Sequence, residues 1–219
     1  LEAEPRIQPP PAIPASLPSS GVSVAVVSSG GAALGAYEGG YLEALTETLQ
    51  ANPDLARVRI ATGTSAGSLN SLLTAVEACS GATHDPSQSW FYRVWTAPTF
   101  QKLYVREETT GTAMFSRRSL MEVAAQLEQA WNQGLPESCD IVLGVPVTRV
   151  IPREVMLHPP YQVVPQTLER FAVRVRGRGP GRPPELENYR DPRSAVGVPL
   201  SSPLELKLKM GRASCRVRV

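Results

Sequence analysis

Residues 58–76 read Val-Arg-Ile-Ala-Thr-Gly-Thr-Ser-Ala-Gly-Ser-Leu-Asn-Ser-Leu-Leu-Thr-Ala-Val. The run from Val58 to Ala61 predicts a short strand. Behind it Ala66, Leu69, Leu72, Leu73 and Val76 recur at helical spacing and predict one buried helix face. Between the two stands Gly63-Thr64-Ser65-Ala66-Gly67, a G-x-S-x-G pattern. In a strand-turn-helix context this pattern is a nucleophile elbow: the sharp turn demands small residues two before and two after the serine, and Gly63 and Gly67 meet that demand. Ser65 then sits above a helix N-terminus, where free N–H groups and the macrodipole favour developing negative charge. Outside that context the same pattern is usually a solvated loop.

A second strand-turn-helix unit lies upstream. Val22 to Val27 predicts a strand, and Tyr41, Leu42, Leu45 and Leu49 predict the apolar stripe of a helix. The turn between them is Ser28-Ser-Gly-Gly-Ala-Ala-Leu-Gly35. Gly30 and Gly31 carry no side chain, so their backbone N–H groups can approach a bound oxygen closely.

Taken together, the two motifs resemble the patatin-like phospholipase family. Its members carry a Gly-rich oxyanion loop after the first strand and a G-x-S-x-G elbow a few tens of residues later. The family loop is typically G-G-G-x-[Lys/Arg]-G. This chain departs from it at Ala32, in place of the third glycine, and at Leu34, in place of the basic residue. The resemblance implies an α/β fold, a three-layer α/β/α sandwich with a largely parallel sheet, and a lipid acyl-ester hydrolase. It implies Ser65 as nucleophile, Gly30, Gly31 and Ala32 as the oxyanion hole, Gly63 and Gly67 as the elbow glycines, and neither metal nor organic cofactor. A Gly-rich turn after a strand also suits dinucleotide binding. Here G-x-G-x-x-G fails at Ala32, and the second strand ends in Ala61-Thr62-Gly63 rather than at an acidic residue.

In patatin-like enzymes the base is an aspartate in a later Asp-Gly-Gly or Asp-Gly-Ala motif. The aspartates here are Asp54, Asp85, Asp140 and Asp191, and none precedes glycine. The histidines, His84 and His158, sit in polar or Pro-rich surroundings and receive no base role. The dyad aspartate is therefore unassigned. The expectation is a chain that ends before that motif and hydrolyses a p-nitrophenyl ester slowly or not at all. The alternative is a non-catalytic relative that binds lipid or a partner.

Composition sets the remaining bounds. The chain has 219 residues, 22 Lys and Arg against 20 Asp and Glu, and no apolar run long enough to span a bilayer. Three cysteines, Cys79, Cys139 and Cys215, lie far apart, which argues against a disulfide framework and against a zinc site. Residues 1–20 are Pro-rich and read as an arm, 21–176 as the α/β domain, and 177–219 as a basic Pro/Gly-rich tail expected to pack poorly. That tail offers contact with an anionic membrane surface. Its Gly-Arg-Gly-Pro-Gly-Arg-Pro-Pro run lacks the basic residue that a minor-groove hook carries after proline, so nucleic acid is disfavoured as a partner. The Pro-rich arm suits an exported bacterial protein, and the compartment stays open.

Trp90, Phe91, Tyr92, Trp95, Phe100 and Tyr104 concentrate aromatic side chains in one segment. They read as a helix packing on the sheet or as an apolar wall for acyl chains. Residues 119–133 predict a helix capped at Ser119, with Leu120, Val123, Ala124, Leu127 and Trp131 on one face. Asp140 to Val150 predicts a buried strand, and Phe171, Val173 and Val175 a strand with one wet face.

Overall fold

The computed structural model describes residues 21–31, 33–80, 85–97, 99–104, 116, 118–157 and 162–189. The arm 1–20, Ala32, His84, His158, Asp191, Cys215 and the tail beyond 189 lie outside the described residues. Strand β1 (Val22–Ser28), helix α1 (Leu34–Ala51), β2 (Ala56–Gly63) and α2 (Ala66–Ser80) form the two expected strand–helix units. A 3-10 turn, Pro86–Gln88, leads to the short helices α3 (Trp90–Thr96) and α4 (Phe100–Leu103) and to α5 (Arg118–Gln133). Strands β3 (Asp140–Leu157), β4 (Gln162–Arg176) and β5 (Glu185–Asn188) follow.

The sheet has the order β1-β2-β3-β4-β5. Its first three strands run parallel, whereas β3 with β4 and β4 with β5 are antiparallel. The sheet is therefore mixed and only partly parallel, which corrects the largely parallel expectation. The reason is local: β3 and β4 are consecutive, so they pair as a hairpin, while β1, β2 and β3 are separated by crossover helices. Among the described residues one face of β1 is covered, with Val26 and Ser28 buried and Val27 77% exposed.

Both helical stripes differ from the pattern read off the sequence. In α1 the buried positions are Gly35, Gly39, Leu42 and Thr46, and Tyr41 points outward. The two glycines are buried because Trp95 of α3 lies on them: a Cβ on Gly35 would stand 2.3 Å from the Trp95 ring. Helix α2 is buried almost all round, and Leu69 and Leu72 are only partly covered. Its buried Ser71 and Thr74 satisfy their hydroxyls on the carbonyls four residues back, at 2.8 Å each. The aromatic segment is helical, with Phe91 and Val94 in the core.

Helix α5 buries Val123, Leu127 and Trp131 as expected, but Leu120 is exposed. Ser119 lies inside the helix rather than capping it, and the Ser116 Oγ accepts the Arg118 N–H at 3.1 Å at its head. Strand β3 runs past Val150 to Leu157 and pairs with β4 throughout that extension, apart from an irregularity between Thr148 and Arg153. Pro146 is tolerated within it because it lies beyond the last β2 pair, Thr62 with Gly144, where β3 has become an edge on that side.

One further expectation is overturned. Cys79 and Cys139 form a disulfide, with Cα atoms 5.1 Å apart. The parallel crossover brings the end of α2 beside the start of β3, a proximity that a separation of 60 residues conceals in the sequence. A crosslink closing a loop of that size stabilises by about 4 kcal/mol through the entropy of the unfolded chain. Urea unfolding with and without dithiothreitol should show the corresponding loss on reduction, and coincident curves would contradict it.

Within the segment 177–189, backbone bonds tie several residues to α5 and β3, although about half of its residues are exposed. The N–H groups of Gly177, Gly179 and Gly181 donate to the carbonyls of Cys139, Leu135 and Gln133 at 2.9, 2.9 and 2.7 Å. Pro184 is buried, and β5 joins the sheet. The glycines permit contact rather than looseness, since a Cβ on Gly177 would fall 1.7 Å from the Pro136 carbonyl oxygen.

Glu77 is a buried carboxyl on α2, 7% exposed, whose Oε1 accepts the Trp90 N–H. Burial pushes its pKa above the ordinary 4.5, with the charges of Glu43 and Glu47 adding to the rise. A raised folded-state pKa contributes stability that is fully present below 4.5 and lost as pH rises through the folded value. Glu77→Gln keeps an acceptor for Trp90 and removes the charge. It should flatten the dependence of the urea midpoint on pH above 4.5, and an unchanged profile would refute this reading.

Candidate active site

The two turns singled out in the sequence meet at the C-terminal ends of adjacent parallel strands. Ser28 of β1 is the register partner of Gly63 of β2, and the Thr64 N–H donates to the Ser28 carbonyl at 3.2 Å. Ser65 has φ of +56°, the single positive φ at a non-glycine among the described residues. This left-handed conformation costs an L-residue about 1–2 kcal/mol. It persists because both sides are fixed: the Gly67 N–H donates to Thr64 O and the Ser68 N–H to Ser65 O, each at 2.9 Å. The Ser68 hydroxyl closes the turn on the Gly63 carbonyl at 2.6 Å. The Ser65 side chain is exposed at the head of α2.

The flanking glycines are required by space. A Cβ on Gly63 would lie 2.2 Å from the Gly67 carbonyl oxygen, and one on Gly67 would lie 2.5 Å from the carbonyl oxygens of both Ser28 and Ser29. Gly30 rests against the elbow, since a Cβ there would stand 3.1 Å from the Ser65 Cβ. Gly31 belongs to the turn that opens α1, its carbonyl accepting the Leu34 N–H at 2.9 Å.

Two of the described aspartates are committed to other partners. Asp140 opens β3, four residues before Gly144, which is level with the end of β2, so it lies about 13 Å toward the other end of the sheet. Both its oxygens accept from Arg174, from Nε at 2.7 Å and Nη2 at 2.6 Å. This pairing holds its pKa below the ordinary carboxylate range. Asp85 caps the 3-10 turn through the Ser87 N–H at 2.9 Å. Asp54 lies in the turn before β2, at the opposite end of that strand from Ser65. Among the described residues no group of three or more His, Cys, Asp or Glu could hold a metal ion.

A strained serine between two sterically required glycines, with a Gly-rich loop laid against it, is the arrangement expected of an acyl-transfer site. The family model described as patatin-like phospholipase matches residues 26–198. The chain belongs to the patatin-like phospholipase family. No curated protein and no solved structure matches it. The patatin match spans both turns and strands β2 to β5, with the end of β1, and the family implies a lipid acyl hydrolase and a lipid substrate.

One part of the site escaped the sequence reading. Glu38, Asn70 and Trp95 form a polar chain beneath the two turns. A carboxylate amid the glycines of 35–40 and an asparagine in an otherwise apolar helix were the signals that could have found it.

Proposed function

We propose that this patatin-family chain is a serine acyl-ester hydrolase acting on lipids, with Ser65 as nucleophile. The observation that carries the reading is the left-handed Ser65 at the head of α2, held between Gly63 and Gly67 and facing Gly30. In this reading the Ser65 oxygen attacks the ester carbonyl as its proton passes to a base. The resulting oxyanion is met by backbone N–H groups of Gly30 and Gly31, with Ala32 completing the hole. Such donors are each worth roughly 3–4 kcal/mol in the transition state. The alcohol then leaves with a proton, and water cleaves the acyl-enzyme by the reverse steps. We also read the whole domain as the three-layer sandwich of the family. No metal or organic cofactor enters this scheme.

With Asp85 and Asp140 engaged elsewhere and Asp54 at the opposite end of β2 from Ser65, Asp191 is the chain's other aspartate, and it lies outside the described residues. That same engagement supports a second reading, a non-catalytic relative that binds lipid. A fluorophosphonate probe, followed by peptide mapping, separates the two. Covalent labelling at Ser65 is the expected outcome, with slow turnover of a p-nitrophenyl ester, and an unlabelled Ser65 would favour the second reading. Hydrolysis should also be insensitive to salt, whereas contact of a basic tail with phosphate weakens steeply with it.

A further inference from the structure

We propose that Glu38 is a positioning residue that holds the Gly-rich loop against Ser65, a role that rests on the serine-hydrolase reading above. Glu38 lies on α1, one turn from Gly35, and is not itself placed in contact with a reacting atom. Its Oε1 accepts the backbone N–H of Ser29 at 3.1 Å, one residue before Gly30. Its Oε2 accepts from the Asn70 Nδ2 at 3.0 Å. Asn70 is fully buried on α2, five residues after Ser65. The carboxylate therefore ties the loop that carries Gly30 to the helix that carries the nucleophile.

The donor pattern leaves little freedom in the choice of side chain. The Trp95 indole N–H, which can only donate, reaches Asn70 Oδ1 at 2.8 Å. This fixes the amide so that its nitrogen faces Glu38 and the Gly35 carbonyl, the latter at 3.0 Å. Glu38 is thus met by a donor on each side, and an acceptor-only carboxylate satisfies both. A glutamine would satisfy one and oppose an N–H to an N–H at the other. Of the two donors only the Ser29 N–H belongs to the loop, so its loss shifts Gly30 relative to Ser65. A misplacement of about 1 Å at a reacting centre costs up to about a hundredfold in rate.

The test is the rate of fluorophosphonate labelling of Ser65 in the full chain, measured well below the melting temperature so that only folded protein is compared. Glu38→Gln should lower the maximal labelling rate about tenfold or more while the half-saturating probe concentration stays within about twofold. Exchange of the Ser29 amide should quicken in the same variant. A merely structural role would lower the melting temperature and leave the labelling rate of folded protein unchanged, and that result overturns the proposal. If Ser65 in the unaltered chain does not react at all, the hydrolase reading falls and the positioning role with it. A reactive Ser65 indifferent to Glu38→Gln removes the positioning role alone.

Discussion

Ser65→Ala is expected to abolish fluorophosphonate labelling and to lower any ester turnover by at least about a thousandfold, because the attacking atom is gone. The fold should be little affected. The Ser65 side chain is exposed, and the left-handed backbone is imposed by the bonds around it rather than by its hydroxyl. Alanine carries the same Cβ and the same strain, so the melting temperature should stay within a few degrees of the parent. Ser65→Gly offers a second check. Glycine adopts a φ of +56° without penalty, so this variant should melt no lower than the alanine variant while being equally unreactive. A chain that keeps its labelling after Ser65→Ala has its nucleophile elsewhere, and the elbow would then be structural. A chain that unfolds on the same change would mean that the hydroxyl carries part of the turn.

The elbow and the loop were legible because both depend on local chemistry. A strand, a small residue, a serine, a small residue and a helix leave few other conformations, and the glycines announce where backbones must touch. The neighbouring position of the two turns also follows from sequence order, since consecutive strand–helix units place their strand ends side by side. Periodicity served less well inside the helices. Helix α1 buries Gly35 and Gly39 because Trp95 arrives from sixty residues later, and no local pattern predicts that a glycine face rather than Tyr41 will be covered. Helix α2 is enclosed nearly all round, so buried Asn70, Ser71 and Thr74 interrupt an apolar stripe that a one-sided helix would have kept.

The other misreadings have a common cause, which is contact at long range. Cys79 and Cys139 carry no spacing pattern and meet only because the crossover from α2 to β3 folds back on itself. The residues from Gly177 to Pro184 have the composition of a flexible tail. They are instead fitted to the C-terminal end of α5, where Gly134 at φ of +97° lies so close to Gly179 that a Cβ would stand 2.3 Å from its carbonyl oxygen. Glycine reads as looseness in a composition and as close packing in a fold, and only the partner decides which. The antiparallel half of the sheet follows the same logic. Alternating elements imply parallel strands, but the implication stops where no helix intervenes, as between β3 and β4.

Gly67→Ala should destabilise the fold by about 3 kcal/mol or more and abolish labelling of Ser65 together with it. Helix propensity argues the other way, since Gly67 lies in the first turn of α2 and alanine is favoured over glycine in a helix by about 1 kcal/mol. The magnitudes settle the conflict. The added Cβ would lie 2.5 Å from two backbone carbonyl oxygens, those of Ser28 and Ser29, and neither is the free end of a side chain that could swing aside. Relief requires moving α2 away from the end of β1, which separates Ser65 from Gly30. Gly63→Ala meets the same obstacle from the other side, with 2.2 Å to the Gly67 carbonyl oxygen. Gly40→Ala is the control, because it lies in α1 with nothing within 4 Å of its added Cβ. There propensity acts unopposed, and the melting temperature should rise, corresponding to about 0.5–1 kcal/mol. Thermal melts and labelling of the three variants test the packing of the elbow directly. A Gly67→Ala chain that melts with the parent and still reacts at Ser65 would show that the turn can open without cost, and the close contact between β1 and α2 would no longer explain why the serine is held as it is.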